Sequence, residues 1–223
     1  MGAMPVLSFD LDDTLWPVAP VIEAAERALY AWLRERHPEA VRGHDLETLR
    51  AMRAAVSRRH PEHAHDLTFL RHRALRDLFT AGGHSELHAD DALDVFLAAR
   101  NRVTLYDDVR PALERLRGRY RLFALSNGNA DVHRCGLGEL FAGHVTARAA
   151  GAAKPDPRIF AHLLELAGAS AAEVVHVGDD PRADVAGAMQ AGIGAVWINR
   201  EGRNWPGELA APARTIATLA EIE

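Results

Sequence analysis

The chain has 223 residues, of which 48% are hydrophobic and 26% are charged, as is typical of a globular protein with a substantial core. Its 31 acidic residues exceed its 26 basic ones only slightly, so the charge gives no reason to expect nucleic acid or a membrane surface as a partner. The single cysteine rules out an internal disulfide and favours a cytoplasmic location, and we expect neither a transmembrane helix nor a secretory signal.

Two different patterns occupy the first hundred residues. Pro5 to Asp10 is a short apolar run that ends in acids, which predicts a buried strand. From about Val18 to Arg100, apolar residues recur at spacings of three and four, and β-branched runs are absent. Pro38 and Pro61 interrupt this pattern, so the stretch predicts about four helices.

Strands and helices alternate after Arg102. Helices are predicted for Val109 to Arg117, Pro157 to Ala167 and Arg182 to Ala191, and strands for Leu122 to Ser126, His144 to Arg148, Val174 to Gly178, Ala195 to Asn199 and Thr215-Ile216. This alternation predicts an α/β fold with a Rossmann-like, doubly wound parallel sheet. We expect a core domain of residues 1–15 and 101–223, and an inserted helical domain of residues 16–100.

Polar side chains follow the predicted strands where each strand ends. Asp10 and Asp12 follow the first strand, Ser126 ends the second, Lys154 follows the third and Asp179 follows the fourth. Ligands of open parallel sheets bind beyond the carboxyl ends of the strands. We therefore expect these side chains to meet in one crevice.

Lys154 is the only lysine among 26 basic residues. Arginine presents a broad planar fork, whereas lysine is a compact point charge. A site that must fit a small cation between an anionic nucleophile and an anionic substrate has room for an ammonium and not for a guanidinium. Arginine bias alone would also leave a stray surface lysine, so this residue is informative only together with the other motifs.

Each of the other motifs allows a chemical and a purely structural interpretation. Asp10 and Asp12 point to one face of extended backbone and could attack an electrophile and shuttle a proton, or could simply end a strand. The run that starts at Ser126 offers a hydroxyl, an amide and backbone N–H groups to an oxyanion, or forms a plain turn. The acids from Asp179 to Asp184 suit Mg²⁺, or cap a helix that Pro181 opens.

Taken together, these motifs resemble the haloacid dehalogenase-like hydrolases along the whole chain, with the helical insert similar to the first type of cap in that superfamily. The resemblance implies that Asp10 is the nucleophile and Asp12 the general acid and base. It further implies that Ser126 and the backbone N–H of Asn127 bind phosphate, and that Lys154 is the lysine of the family.

The same resemblance implies Mg²⁺ as the cofactor and an aspartyl phosphate as the intermediate. Asp10, Asp179 and the backbone carbonyl of Asp12 would hold the cation. Three residues would support this site from outside the direct ligands: Thr14 by orienting Asp12 or its loop, Asp184 by holding a metal-bound water, and Asp180 by doing the same or by capping a helix. Trp16 would either stack on a substrate ring or wedge the hinge of the insert.

The implied function is hydrolysis of small phosphorylated metabolites. Dehalogenases of the family need no proton on the leaving group and lack an acid at the position of Asp12, so this residue favours phosphate transfer. Phosphonate-cleaving relatives need a lysine in the cap, and Val18 to Arg100 contains none. A 2-haloacid dehalogenase and a non-catalytic binding protein with the same fold remain the alternatives, and nothing in the sequence specifies an oligomeric state.

A finer resemblance points to one branch of the superfamily. The segments Asp10 to Trp16, Ser126 to Ala130 with Cys135 to Gly138, and His176 to Asp180 are similar to the flavin mononucleotide phosphatases. That branch also dephosphorylates 5-amino-6-(5-phospho-D-ribitylamino)uracil.

Overall fold

The computed structural model describes residues 4–223 of the chain. These residues form two compact units, one made of the segment up to Pro17 together with Thr104–Glu223, and the other of Val18–Val103. Within residues 4–223, no helix is both long enough and apolar enough to cross a membrane.

The first unit is built around a six-stranded sheet in the order β3-β2-β1-β4-β5-β6, in which every pair of neighbours is parallel. Its strands are β1 Val6–Phe9, β2 Arg121–Ser126, β3 Gly143–Thr146, β4 Val174–Gly178, β5 Gly194–Ile198 and β6 Arg214–Ile216. The predicted α/β, Rossmann-like fold is confirmed. The strand order reverses at β1, which lies between β2 and β4, and such a reversal opens a crevice at the carboxyl ends of the strands.

Eight α-helices accompany the strands in the described part of the chain. They are α1 Val18–Arg36, α2 Leu46–Arg59, α3 Leu67–Ala81, α4 His88–Arg100, α5 Val109–Leu116, α6 Ala147–Ala150, α7 Pro157–Ala167 and α8 Gly187–Gln190. The first four make up the second unit, where apolar residues such as Leu33, Leu78 and Phe96 form its own buried core. Their number agrees with the helical spacing of the sequence, and Asp45 and Asp66 cap α2 and α3.

Helix α7 illustrates how the local sequence fixes an element. Asp156 caps its first turn by accepting a hydrogen bond from the backbone N–H of Arg158, and Pro157 occupies the first helical position. Gly168 ends the helix with φ at 55°, a left-handed conformation that favours glycine. The buried face, with Phe160 and Leu163, packs into the core beside the sheet.

Several predicted elements differ from the observed ones by one residue at an end, and two more differ for reasons that the local structure shows. The strand expected to reach Arg148 ends at Thr146, because the Thr146 side chain caps α6 by accepting from the backbone N–H of Ala149. The helix expected from Arg182 to Ala191 begins instead as a π-helical segment, Pro181–Ala186, and continues as α8. The wide first turns let the backbone N–H of Val185 reach the carbonyl of Asp180 at 3.2 Å.

Candidate active site

The side chain of Lys154 is buried at the carboxyl ends of the strands, with only 2% of its surface exposed. Its Nζ lies 2.5 Å from Oδ1 of Asp10, 2.6 Å from Oδ1 of Asp184 and 2.7 Å from the carbonyl oxygen of Leu125. An ammonium has three donors, so these acceptors use its full capacity. The lone lysine of the sequence is therefore a buried cation between two carboxylates.

The backbone around Lys154 is held by the side chain of Asn127. The Lys154 N–H donates to Asn127 Oδ1 at 2.7 Å, and Asn127 Nδ2 donates to the Lys154 carbonyl at 3.0 Å. The peptide bond that follows Lys154 is cis. The sequence analysis offered Asn127 only to an oxyanion or to a turn; the structure shows that its side chain joins the end of β2 to the lysine loop.

Three carboxylates converge beside the lysine. One oxygen each from Asp10, Asp179 and Asp184 lie within 4.8 Å of one another, which is close enough for them to share one metal ion. All three offer hard oxygen donors, and no histidine or cysteine belongs to the group. Such a donor set fits Mg²⁺ and does not fit a zinc site of the usual nitrogen and sulfur ligands.

The electrostatics of the cluster also favour a cation. Burial raises the pKa of Asp10 well above its usual range, an effect that Lys154 opposes and the Asp184 carboxylate increases. Burial, together with the carboxylates of Asp184 and Asp13, raises the pKa of Asp179 to about 7. Burial and neighbouring carboxylates thus disfavour the ionised forms of Asp10 and Asp179, and a cation bound between them would favour those forms.

Asp184 has both carboxylate oxygens engaged by the protein. Oδ1 contacts Lys154 and Nε2 of His176, the latter at 3.2 Å, and Oδ2 accepts from the backbone N–H of Asp180 at 2.9 Å. Although burial opposes it, Lys154 and His176 hold the pKa of Asp184 below its usual range. Asp180 itself is exposed, and its side chain caps the π-helical segment by accepting from the N–H groups of Arg182 and Ala183.

A buried hydrogen-bond chain continues from Asp184 into the sheet. His176 lies on β4 with its pKa lowered by burial, and its Nδ1 is 2.8 Å from Oγ of Ser8 on the neighbouring strand β1. Because the ionised Asp184 carboxylate can only accept, Nε2 carries the imidazole proton and the Ser8 hydroxyl donates to Nδ1. The sequence analysis missed both residues, since a serine and a histidine inside apolar strands carry no signal of this pairing.

Asp179 is fixed by three neighbours. Thr14 Oγ1 donates to Oδ1 of Asp179 at 3.3 Å, and Arg203 Nη2 donates to Oδ2 at 3.3 Å. The indole N–H of Trp197 donates to the Asp179 backbone carbonyl at 2.9 Å. We expected Thr14 to orient Asp12 or its loop; in the structure its hydroxyl contacts Asp179, because the turn after β1 brings it toward the end of β4.

Asp12 lies outside the carboxylate cluster and is held by a tryptophan. Trp16 is fully buried, and its Nε1 donates to Oδ1 of Asp12 at 2.9 Å. A ring with no exposed surface has no face available to a substrate, so stacking on a substrate ring does not fit this arrangement. Ser126, at the end of β2, is 1% exposed, and its Oγ accepts from the backbone N–H of Gly128 at 2.9 Å.

The structure thus brings Asp10, Lys154, Asp179 and Asp184 into direct proximity. Ser126 and Asn127 lie beside this cluster because they stand at the end of β2, next to Leu125, whose carbonyl contacts the lysine. These residues come from four loops that are far apart in sequence, and the sheet order unites them.

Comparisons with known proteins identify relatives of this chain. A family model of haloacid dehalogenase-like hydrolases matches residues 4–192. The chain is 33% identical to the 5-amino-6-(5-phospho-D-ribitylamino)uracil phosphatase YigB of Escherichia coli (strain K12), with 100% of this chain and 96% of that protein covered.

Solved structures with other names are also similar. The crystal structure of 2-haloacid dehalogenase from Pseudomonas syringae pv. Tomato DC3000 has a TM-score of 0.91 and 38% identity, covering 98% of this chain and 96% of that one. The HAD phosphatase from Thermococcus onnurineus has a TM-score of 0.69 and 26% identity, covering 98% and 95%. The similar proteins therefore carry the names of two chemistries.

Gly178 provides a test of how tightly the site is packed. A Cβ at this position would lie 2.3 Å from Cγ of Asp184, so the carboxylate that contacts Lys154 would have to move. We expect Gly178→Ala to destabilise the fold by about 1–3 kcal/mol and to reduce activity. Gly207→Ala is the matched control, because a Cβ there meets nothing within 4 Å. Equal melting temperatures for the two variants would contradict this account.

Proposed function

Because this chain belongs to the haloacid dehalogenase-like hydrolases, we propose that it is a Mg²⁺-dependent phosphatase that hydrolyses phosphate monoesters of small metabolites through an aspartyl phosphate. A phosphatase is among the relatives that match the full chain. The observation that carries the proposal is the buried Lys154 ammonium, which contacts Asp10, one of the three clustered carboxylates. A cation at this position counters the repulsion between an anionic nucleophile and an anionic substrate.

Asp10 and Asp179 are the carboxylates that we expect to hold Mg²⁺, with the backbone carbonyl of Asp12 as a further ligand by analogy with the family. When bound, the cation would neutralise charge on the phosphoryl oxygens and on the attacking carboxylate. Asp184 would act from outside the direct ligands, because both of its oxygens already contact protein groups.

Asp10 would attack the phosphorus atom through a carboxylate oxygen. A bond forms between that oxygen and phosphorus, the bond between phosphorus and the leaving oxygen breaks, and the phosphoryl group remains on Asp10 until water releases it. Ser126 and the backbone N–H of Asn127 would bind phosphoryl oxygens. The Ser126 hydroxyl suits this role, since its oxygen already accepts from Gly128 and its own O–H remains the donor.

Asp12 would handle the two proton transfers. It would protonate the leaving alcohol oxygen as the first bond breaks, and then remove a proton from the water that attacks the aspartyl phosphate. An alkoxide is a poor leaving group without this proton, whereas a halide leaves readily as an anion. The carboxylate at position 12 therefore supports phosphate ester hydrolysis over dehalogenation.

The proposed substrate class rests on a relative that matches the full chain and on the resemblance of the motifs to flavin mononucleotide phosphatases. We propose that 5-amino-6-(5-phospho-D-ribitylamino)uracil, named in that relative, and flavin mononucleotide, implied by the motifs, are among the substrates. We also propose that the protein acts in the cytoplasm, where phosphorylated metabolites occur and a single cysteine stays reduced. The test is a screen of these two compounds with nucleotides, phosphoglycolate and sugar phosphates, ranked by kcat/KM. A flat ranking would contradict the assignment to the two riboflavin-related substrates.

Dehalogenation is the second candidate, because a structure named 2-haloacid dehalogenase is 38% identical to this chain. Release of halide from a 2-haloacid, without hydrolysis of p-nitrophenyl phosphate in the presence of Mg²⁺, would favour it. If neither activity is detected, the chain would be a binding protein that has kept the fold. Phosphate release alone would support the proposed function.

Asp10→Asn tests the nucleophile. The amide keeps the shape of the side chain but cannot form the phosphoryl ester, so we expect kcat to fall by about 10³-fold or more. Asp107→Asn makes the same change at an exposed position and should behave as the wild type. Circular dichroism would show whether both variants are folded. Steady-state turnover near the wild-type rate in Asp10→Asn would rule out this role.

Asp179→Asn tests the metal site. Chelation should stop hydrolysis and added Mg²⁺ should restore it, and the variant should need at least about tenfold more Mg²⁺ because one carboxylate ligand is lost. Melting temperature gives a readout that does not depend on activity, since a bound cation stabilises the folded state. We expect Mg²⁺ to raise the melting temperature of the wild type more than that of the variant. An enzyme that is active without a divalent cation would overturn this assignment.

Lys154→Arg tests whether the pocket needs a compact cation. Nζ already lies within 2.7 Å of three acceptors in a buried space, so a guanidinium must displace one of them. We expect kcat/KM to fall by about 10²-fold or more. Arg158→Lys, the reverse exchange at an exposed position of α7, should have little effect. A fully active Lys154→Arg variant would show that charge alone is sufficient.

A further inference from the structure

The indole of Trp16 makes a specific contact with Asp12. Trp16 is fully buried, yet its one polar atom is directed at a carboxylate, with 2.9 Å between Nε1 and Oδ1 of Asp12. An indole N–H can only donate, and it does not titrate. The contact therefore persists whether or not Asp12 carries a proton, provided that Oδ1 remains the acceptor.

The backbone turn between these two residues explains how the indole returns to Asp12. Asp13 has φ at 58°, a left-handed conformation that aspartate tolerates better than most residues. Its N–H donates to the Trp16 carbonyl at 2.7 Å, and the N–H of Leu15 donates to the Leu11 carbonyl at 2.7 Å. The turn is thus closed by two short backbone hydrogen bonds, and the side chains at its ends face each other.

Neighbouring segments of the same unit hold this turn in place. The Tyr106 N–H donates to the Leu15 carbonyl at 3.1 Å, and Arg200 Nε donates to the Thr14 carbonyl at 2.9 Å. Arg200 is in turn fixed by two hydrogen bonds to Asp108, at 3.0 and 3.1 Å. These hydrogen bonds hold the turn that carries Trp16, whose N–H contacts Asp12.

We propose that Trp16 is a positioning residue for Asp12. Its N–H holds Oδ1 and so restrains the carboxylate that exchanges the proton with the leaving oxygen and with the attacking water. This inference rests on the proposed function, in which Asp12 is the general acid and base. It assigns to Trp16 a role in proton transfer, beyond that of a core side chain.

The proposal predicts a loss that depends on the leaving group. p-Nitrophenolate leaves without a proton, whereas an alkoxide needs one, so a displaced Asp12 should slow formation of the aspartyl phosphate only for alkyl phosphates. Release of phosphate from Asp10 is the same step for every substrate, and kcat/KM does not include it because the leaving group has already departed. We expect Trp16→Phe to lower kcat/KM for alkyl phosphates by about 10- to 100-fold and to leave kcat/KM for p-nitrophenyl phosphate nearly unchanged. Equal losses on both substrates, or none on either, would overturn the proposal.

Two further variants separate the hydrogen bond from packing. Trp32→Phe, in the second unit, is the matched control. Its rates relative to the wild type should be the same for alkyl phosphates and for p-nitrophenyl phosphate. If Trp16→Phe fails to fold, 3-benzothienylalanine placed at position 16 alone keeps the ring size and replaces the N–H by sulfur. A wild-type leaving-group dependence in that variant would count against the positioning role.

Nuclear magnetic resonance tests the contact without any assay. The chain has four tryptophans and hence four indole N–H signals, and Trp16→Phe identifies one of them by its loss. Asp12→Ala should shift that same signal, because the N–H loses a carboxylate acceptor, and should leave the other three in place. A signal that does not move would refute the contact. A wild type that hydrolyses no phosphate ester, despite a shifted signal, would instead disprove the proposed function and the catalytic part of this inference.

Discussion

The arrangement of the strand ends depends on one buried cation, the Lys154 ammonium between Asp10 and Asp184. Removing ions from water costs several kcal/mol for each of them, and only close contacts with complete hydrogen bonding offset that cost. All three ammonium donors have acceptors here, including the carbonyl of Leu125. Loss of one partner would leave an unbalanced buried charge, at a cost of about 3–5 kcal/mol. The ammonium therefore ties the lysine loop to the end of β2 and to the segments that follow β1 and β4.

That constraint extends into the sheet. Asp184 can face the lysine because Gly178 has no side chain, and it stays there because His176 and the backbone of Asp180 hold its oxygens. Ser8 in turn orients His176 from the neighbouring strand. Ser8, His176 and Asp184 are all buried, so their positions are set before any substrate arrives. This is the condition under which charges stabilise a transition state most effectively.

Much of the fold follows from the sequence, whereas the contacts within the site do not. The sequence predicts Pro157–Ala167 and Val174–Gly178 with the bounds that the structure has, because a capping residue, a terminal glycine and an apolar run are local signals. It places Asp10 and Lys154 at strand ends, and parallel order then brings them together. It cannot indicate that Asn127 holds the lysine loop or that Thr14 contacts Asp179, since the partners are 27 and 165 positions apart. The roles of these residues stay predictions until variants are measured.

Similarity of fold does not decide between the two chemistries named among the similar proteins, because function resides in particular side chains. Halide release and phosphate ester hydrolysis can share a nucleophilic carboxylate, a nearby cation and the same crevice. They differ in the need to protonate the leaving group. Only the second reaction has a use for an acid two residues after the proposed nucleophile, held by a buried indole whose N–H can donate but never accept. A turn that places Trp16 against Asp12 is an arrangement suited to proton transfer, and it is on this ground, more than on overall likeness, that the chain is best understood as a phosphatase.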